Sequence, residues 1–132
     1  MTIGNVDVVD DSAAHRKLFG ILLSGAGYTP RMHATAAAVL ATAGASPPRL
    51  VVADVQLPGS IDGLMLARAL KAAPATAHVP VLVVSAFASA QDEDAARRAG
   101  ADGWLSKPID TRDFVALVRA LDPTGGADVD VE

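Results

Sequence analysis

Apolar residues follow two different rhythms along this sequence. Five short runs are rich in β-branched and other apolar residues, as β-strands are; they lie at residues 6–9, 28–33, 50–53, 79–84 and 103–106. After each run, apolar residues recur every three or four positions, which predicts a helix. The predicted order is therefore βαβαβαβαβα. Strands that are apolar throughout are typical of a parallel sheet covered by helices on both faces, so we expect an open, doubly wound α/β fold.

Some expectations about burial also come from the pattern. Asp7 interrupts the first run, and we expect it to face outward or toward the sheet edge. Three histidines lie on different elements without the spacing of metal ligands, and we expect them at the surface: His15, His33 and His78. The apolar spacing of the first helix predicts an inward face made of Ala14, Leu18, Ile21, Leu22 and Gly25.

The composition indicates one globular domain. The chain has 132 residues, of which 51% are hydrophobic and 20% charged, so it is neither disordered nor a coiled coil. The absence of cysteine excludes disulfides, thiolate metal sites and cysteine nucleophiles. No signal peptide is visible, and the longest uncharged apolar stretch, residues 34–48, is too short to span a bilayer. We therefore expect a cytoplasmic protein that does not bind membranes.

Charge divides the chain into a neutral body and an acidic end. Residues 122–132 hold four of the fifteen acids and no base, which leaves eleven acids against eleven lysines and arginines in residues 1–121. We expect residues 1–121 to form the domain and residues 122–132 to form a flexible acidic tail. A neutral body with an acidic tail is a poor binder of phosphate backbones, so no nucleic-acid partner is expected.

Polar side chains follow four of the five predicted strands. Asp10 and Asp11 follow the first strand, Asp54 the third, Ser85 the fourth and Lys107 the fifth. In a doubly wound sheet ligands bind at the carboxyl ends of the strands, so these side chains should converge. Clustered carboxylates need a compensating cation, and Mg²⁺ prefers oxygen ligands. A carboxylate that faces a metal-bound phosphate can act as a nucleophile and form an acyl phosphate.

These residues carry a resemblance to a known family. Over residues 5–121 the sequence is similar to the response-regulator receiver domains of bacterial two-component signalling. The resemblance lies in the segments 8–12 (VVDDS), 54–63 (DVQLPGSIDG), 83–86 (VVSA) and 100–108 (GADGWLSKP). It implies the flavodoxin-like version of the doubly wound fold, with five parallel strands in the order 2-1-3-4-5.

The resemblance also implies the chemistry of the strand ends. Asp54 would accept a phosphoryl group from a sensor histidine kinase or a phosphotransfer protein. Mg²⁺ or Mn²⁺ would be held by Asp10, Asp11, Asp54 and the backbone carbonyl of Gln56. Lys107 would contact the phosphoryl oxygens, and its peptide bond to Pro108 would be cis. The protein would catalyse only its own phosphorylation and dephosphorylation.

A conformational switch is implied as well. Ser85 would bind the phosphoryl group, and Trp104 would move its ring in response, as a local charge change biases a two-state element. The fourth helix, fifth strand and fifth helix would then present a changed face to a downstream protein effector or to a second copy of the chain. The candidate residues of this partner face are Arg97, Arg98, Trp104 and Arg112.

The sequence departs from the usual receiver pattern in several places. The turn after Asp54 is one residue longer than usual, serine replaces threonine at Ser85, and Trp104 stands where tyrosine or phenylalanine is common. Phe87 lies two residues after Ser85, and we hypothesise that it shields the acyl phosphate from water.

The leading interpretation is a stand-alone receiver without an output domain. One alternative is a degenerate receiver that binds proteins independently of phosphorylation. Another is a small hydrolase of the haloacid dehalogenase type, which also uses a strand-end aspartate and Mg²⁺. That type carries an Asp-x-Asp motif, whereas the first strand here ends in Asp10-Asp11 with no acid at position 12.

Overall fold

The alternating pattern folds as the sequence predicts. The computed structural model describes residues 3–86 and 89–123. Its elements, in chain order, are β1 (Asn5–Val9), α1 (Ala13–Gly25), β2 (Thr29–His33), α2 (Ala36–Ala43), β3 (Leu50–Asp54), α3 (Gly63–Ala72), β4 (Val81–Ser85), α4 (Ala90–Arg98), β5 (Gly103–Ser106) and α5 (Thr111–Leu121). All strand pairs are parallel, and the order β2-β1-β3-β4-β5 confirms the flavodoxin-like doubly wound fold.

Two apolar layers cover the sheet, one on each face. Because successive side chains of a strand point to opposite faces, Val8 and Val9 of β1 belong to different layers. One layer packs α2, α3 and α4 against the sheet, and the other packs α1 and α5. In the second layer the rings of Phe19 and Phe114 lie 5.0 Å apart between centroids, which joins α1 to α5.

The buried face of α1 differs from the predicted one. The helix buries Phe19 and Leu23, whereas Ile21 is 61% exposed and Gly25 is also exposed. Apolar residues occupy positions 18, 19, 21, 22 and 23, so their spacing fits more than one inward face. Contact with Phe114 of α5 fixes the helix rotation, and this contact is not visible in local periodicity.

The expectation for Asp7 is also wrong, because this residue is fully buried. Its carboxylate contacts Arg31, with Nε 2.7 Å from Oδ1, and His33, with Nε2 3.3 Å from the same oxygen. His33 is correspondingly not a surface residue, since only 13% of its side chain is exposed. His78 is exposed, as predicted.

A second buried polar cluster holds the end of α5, where Asp122 is the C-cap residue. The Tyr28 hydroxyl donates a hydrogen bond of 2.6 Å to Asp122, and Arg49 Nη1 lies 3.1 Å from the other carboxylate oxygen. Asp122 was counted among the acids of the predicted tail, yet it is buried against the domain.

Residues 124–132 of that tail lie outside the described residues, as does Phe87 with its hypothesised shielding role.

Candidate functional site

The predicted polar residues meet at the carboxyl ends of the strands. The first carboxylates come directly after β1, where Asp10 is buried and Asp11 is exposed. The backbone turns sharply here, because the Asp10 carboxylate accepts a hydrogen bond of 2.9 Å from the Ser12 amide. Ser12 in turn caps α1, and Arg16 donates a bond of 2.7 Å to the carbonyl of Asp10. The first turn of α1 therefore fixes the position of the Asp10 carboxylate.

Asp54 ends β3 beside this turn. Its Oδ1 accepts a hydrogen bond of 3.1 Å from the amide of Gln56, which orients the carboxylate. The start of α3 packs directly behind it: Gly63 donates a bond of 2.8 Å to the carbonyl of Val55, and a Cβ at Gly63 would overlap the carbonyl oxygen of Asp54. Only a residue without a side chain fits there. The longer turn before Gly63 does not displace the end of β3, since Asp54 pairs with Val84 of β4.

Lys107 joins the acidic side chains from the other side of the site. Its Nζ lies 2.9 Å from Oδ2 of Asp54 and 3.2 Å from Oδ2 of Asp10. Its backbone amide donates a bond of 2.8 Å to the carbonyl of Ser85, and the Lys107–Pro108 peptide is cis, as predicted. Burial opposes the charged ammonium, but the hydrogen bonds and charges of Asp54 and Asp10 outweigh burial and raise the pKa of Lys107. The side chain is therefore a cation at neutral pH.

The three carboxylates suit a divalent cation. Asp10, Asp11 and Asp54 each offer a carboxylate oxygen, and these atoms lie within 4.8 Å of one another. One ammonium cannot balance three negative charges, and clustered carboxylate oxygens are the ligands that Mg²⁺ and Mn²⁺ accept. The residues therefore fit such an ion. The ligand role of the Gln56 carbonyl stays a prediction.

The predicted switch residues lie on β4, which pairs with β3, and on β5 at the edge of the sheet. Ser85 ends β4 and is buried. Trp104 pairs with Val83 across the β4–β5 ladder, is half-buried, and lines a cavity of about 110 Å³ together with Ala96 and Arg97 of α4. The cavity gives the indole free space beside it on the α4 side. Whether the ring moves on phosphorylation stays a prediction.

The candidate partner residues do not form a single cluster. Arg97 and Arg98 are exposed on α4 and pair with Glu93 and Asp94 of the same helix. Arg112 lies on α5 in a shallow groove with Leu22 of α1. Arg97 therefore shares a surface with Trp104, whereas Arg112 borders the α1 side of the domain.

His15 is partly exposed, as expected for a surface residue, but it also lies at the site. Its Nδ1 is 3.1 Å from Nζ of Lys107 and 3.4 Å from Oδ2 of Asp10, and 42% of its side chain is exposed. The missed signal is its position three residues after the cap of α1, because a side chain in the first turn of that helix lies over the end of β1.

Comparison with known proteins identifies the family. The response regulator receiver domain family matches residues 6–119. The chain belongs to this family. It is 32% identical over 116 residues to the polar-differentiation response regulator DivK of Brucella ovis, which covers 88% of this chain and 94% of DivK.

Solved receiver structures show the same fold. A putative response regulator from Chloroflexus aurantiacus superposes with a TM-score of 0.85 and 30% identity, over 89% of this chain and 96% of that one. The chemotaxis protein CheY4 of Vibrio cholerae gives a TM-score of 0.82 and 25% identity, over 89% and 97%. Membership of the response regulator receiver family, which is a signalling family, argues against the alternative of a small hydrolase. No described helix is both long and apolar enough to cross a membrane.

Proposed function

We propose that this receiver is switched by phosphorylation of Asp54. The single observation that carries the proposal is the position of Asp54, whose carboxylate lies within 2.9 Å of the Lys107 ammonium and in one cluster with Asp10 and Asp11. Phosphoryl transfer to a carboxylate requires positioning and charge neutralisation more than covalent assistance, and this arrangement provides both. Membership of the receiver family supports the same role.

The transfer conserves atoms and charge without a further reactant. An oxygen of the Asp54 carboxylate forms a bond to phosphorus, and the bond from phosphorus to the donor atom breaks. The donor, an imidazole nitrogen of a sensor histidine kinase or a phosphotransfer protein, keeps the electron pair of that bond. Lys107, 2.9 Å from the attacking carboxylate, then faces the added phosphoryl oxygens. A Mg²⁺ or Mn²⁺ ion held by the three carboxylates would supply further neutralisation of negative charge.

We propose that β4 and β5 carry the output of the switch. We propose that Ser85 binds the phosphoryl group after transfer and that Trp104 responds to the shift of the β4 end. The changed face of α4, β5 and α5, which includes Arg97 and Arg98, then controls a protein effector or a second copy of the chain. We place the protein in the cytoplasm, where kinases of this kind act, and we expect no nucleic-acid or membrane partner.

The test is intact-protein mass spectrometry after incubation with acetyl phosphate and Mg²⁺. We expect a single phosphate adduct on the wild-type chain, and none on Asp54→Asn or in the absence of a divalent metal. Asp92→Asn, which removes an acid from the exposed first turn of α4, is the matched control and should behave as wild type. An equal adduct on Asp54→Asn would contradict the proposal. So would the absence of any adduct with both acetyl phosphate and phosphoramidate.

A further inference from the structure

The ammonium of Lys107 contacts a histidine as well as the two aspartates. A lysine ammonium carries three N–H donors and no acceptor. In the part of the chain that the structure describes, three acceptor atoms surround it: Oδ2 of Asp54 at 2.9 Å, Oδ2 of Asp10 at 3.2 Å and Nδ1 of His15 at 3.1 Å. Each donor therefore has one partner, and the third partner is a histidine.

The position of His15 is fixed by the same turn that fixes Asp10. The backbone amide of His15 donates a hydrogen bond of 3.2 Å to the Ser12 hydroxyl, which caps α1. Arg16, the next residue, donates to the carbonyl of Asp10. The helix start is thus tied to the end of β1, and the partly exposed His15 ring contacts the Lys107 ammonium.

The direction of the hydrogen bond follows from the partner. A charged ammonium can only donate, so at 3.1 Å the Nδ1 atom of His15 must accept, and the ring carries its proton on Nε2. The opposite arrangement, with Nδ1 protonated and donating to Asp10, has the longer distance of 3.4 Å and leaves the ammonium facing another N–H donor instead of an acceptor.

We propose that His15 is a positioning residue, which holds the Lys107 ammonium over Asp54 and Asp10 by accepting its third hydrogen bond. The proposal rests on the proposed function for its kinetic consequence. Without the third acceptor the lysine side chain can turn toward solvent, and the ammonium is less often in place when the phosphoryl group reaches Asp54. Displacement of a group at a reacting centre lowers the reaction rate far more than it lowers the stability of the fold.

The kinetic test compares two substitutions of the same residue. His15→Leu keeps a helix-forming side chain but has no acceptor, and we expect it to slow phosphorylation of Asp54 about tenfold. In His15→Asn the Oδ1 atom sits one bond from Cγ, as Nδ1 does, so we expect the rate to return to within about threefold of wild type. His78→Leu, at an exposed histidine before β4, is the control and should leave the rate unchanged. A wild-type rate in His15→Leu, or equal loss in the leucine and asparagine variants, would overturn the proposal.

A second measurement does not depend on phosphorylation. In NMR spectra of the unmodified protein, the Lys107 ammonium should give an observable signal that shifts or disappears in His15→Leu and persists in His15→Asn. The His15 ring should show an unprotonated Nδ1 and a protonated Nε2. A protonated Nδ1, or an ammonium signal unchanged in His15→Leu, would overturn the positioning role. Absence of any adduct on the wild-type chain would instead count against the proposed function. In that case the NMR measurement decides whether His15 positions the Lys107 ammonium.

Discussion

Arg31 holds the buried carboxylate of Asp7 across the pairing of β1 with β2. The guanidinium Nε lies 2.7 Å from Oδ1, and Nη2 lies 3.2 Å from Oδ2. The same guanidinium donates to the hydroxyl of Ser46 at 2.9 Å and to its carbonyl at 2.8 Å. The arginine thereby ties the edge strand β2 to the segment before β3, and the fully buried charge of Asp7 depends on it.

Removal of one partner from this pair should destabilise the domain. We expect Arg31→Met to lower the free energy of unfolding by about 3 kcal/mol, because it leaves a buried carboxylate without its cation. The double variant Asp7→Leu/Arg31→Met should recover most of that loss, since no unpaired charge remains. Urea unfolding followed by the emission of Trp104, the one tryptophan, measures both.

A matched arginine on the surface provides the control. Arg97 pairs with Glu93 four residues earlier on α4, and both side chains are exposed. Arg97→Met should therefore cost less than about 1 kcal/mol. If Arg31→Met and Arg97→Met have equally small effects, the pair with Asp7 is not the stabilising interaction that its burial indicates.

The error over Asp7 shows where sequence information ends. A charged residue in a strand is most often exposed, and this expectation is reasonable without the partner. The partner, Arg31, is 24 residues away, and only the register of β1 against β2 places the two side by side. Periodicity reports burial of apolar residues, so it cannot reveal a charge that is buried because a distant charge covers it.

The convergence of the strand ends, in contrast, was predictable from the sequence, because it depends on the strand pattern and not on a single distant partner. Parallel strands that are apolar throughout place their carboxyl ends at one edge, so the chain positions of Asp10, Asp54 and Lys107 were sufficient to bring them together. The inward face of α1 was not predictable from its spacing, because it depends on contact between Phe19 and Phe114. Ligand spacing does not reveal the location of His15, because a single histidine in the first turn of α1 reaches the site through the fold of the turn after β1.

Gly63 gives a prediction about the backbone of the site. A Cβ at this position would overlap the carbonyl oxygen of Asp54 and lie 2.8 Å from its carbonyl carbon and 2.9 Å from Cα of Val55. These are backbone atoms at the end of β3 and of the residue that follows it, so they cannot move aside cheaply. We expect Gly63→Ala to cost about 1–3 kcal/mol of stability, measured by thermal or urea unfolding, and to slow phosphorylation of Asp54.

A second glycine tests whether this effect is specific. Gly25 is the last residue of α1, and a Cβ there would meet no atom within 4 Å. Because alanine restricts the unfolded chain and favours the helix, Gly25→Ala should leave the free energy of unfolding unchanged or raise it by up to about 1 kcal/mol. A neutral Gly63→Ala would show that the start of α3 can shift away from Asp54.

Alkaline pH should weaken the fold through Tyr28. Its burial and its hydrogen bond to Asp122 raise the pKa of Tyr28 far above the ordinary value of 10.0. A raised pKa means that the protonated group is stabilised in the folded state, so its contribution is complete below about pH 10 and is lost as the pH rises further. The free energy of unfolding should therefore fall by up to about 1.4 kcal/mol per pH unit in that range from this group.

The variant Tyr28→Phe isolates this contribution. Lys107 also has a raised pKa and loses stabilisation in the same alkaline range, but it is present in both chains. The difference in slope between wild type and Tyr28→Phe above pH 10 therefore reports Tyr28 alone. Urea unfolding at a series of pH values provides the slopes; identical slopes for the two chains would contradict a raised pKa.

Metal binding should depend on Asp11. The side chain is exposed, so Asp11→Asn removes one charge of the carboxylate cluster without disturbing the core. We expect this variant to bind Mg²⁺ about tenfold more weakly, which corresponds to about 1.4 kcal/mol. Calorimetric titration measures the affinity, with Asp92→Asn on α4 as the control of equal charge. Equal affinities for Asp11→Asn and wild type would remove Asp11 from the ligand set.

The most direct test of the central claim is to locate the phosphoryl group on the chain. Borohydride reduces an acyl phosphate to an alcohol with release of phosphate, which converts a phosphorylated aspartate into homoserine. After treatment with acetyl phosphate, Mg²⁺ and borohydride, peptide mapping should find homoserine at position 54 and aspartate at positions 10 and 11. Homoserine at another aspartate, or phosphate retained on Ser85 or His15, would contradict the assignment of Asp54 as the acceptor.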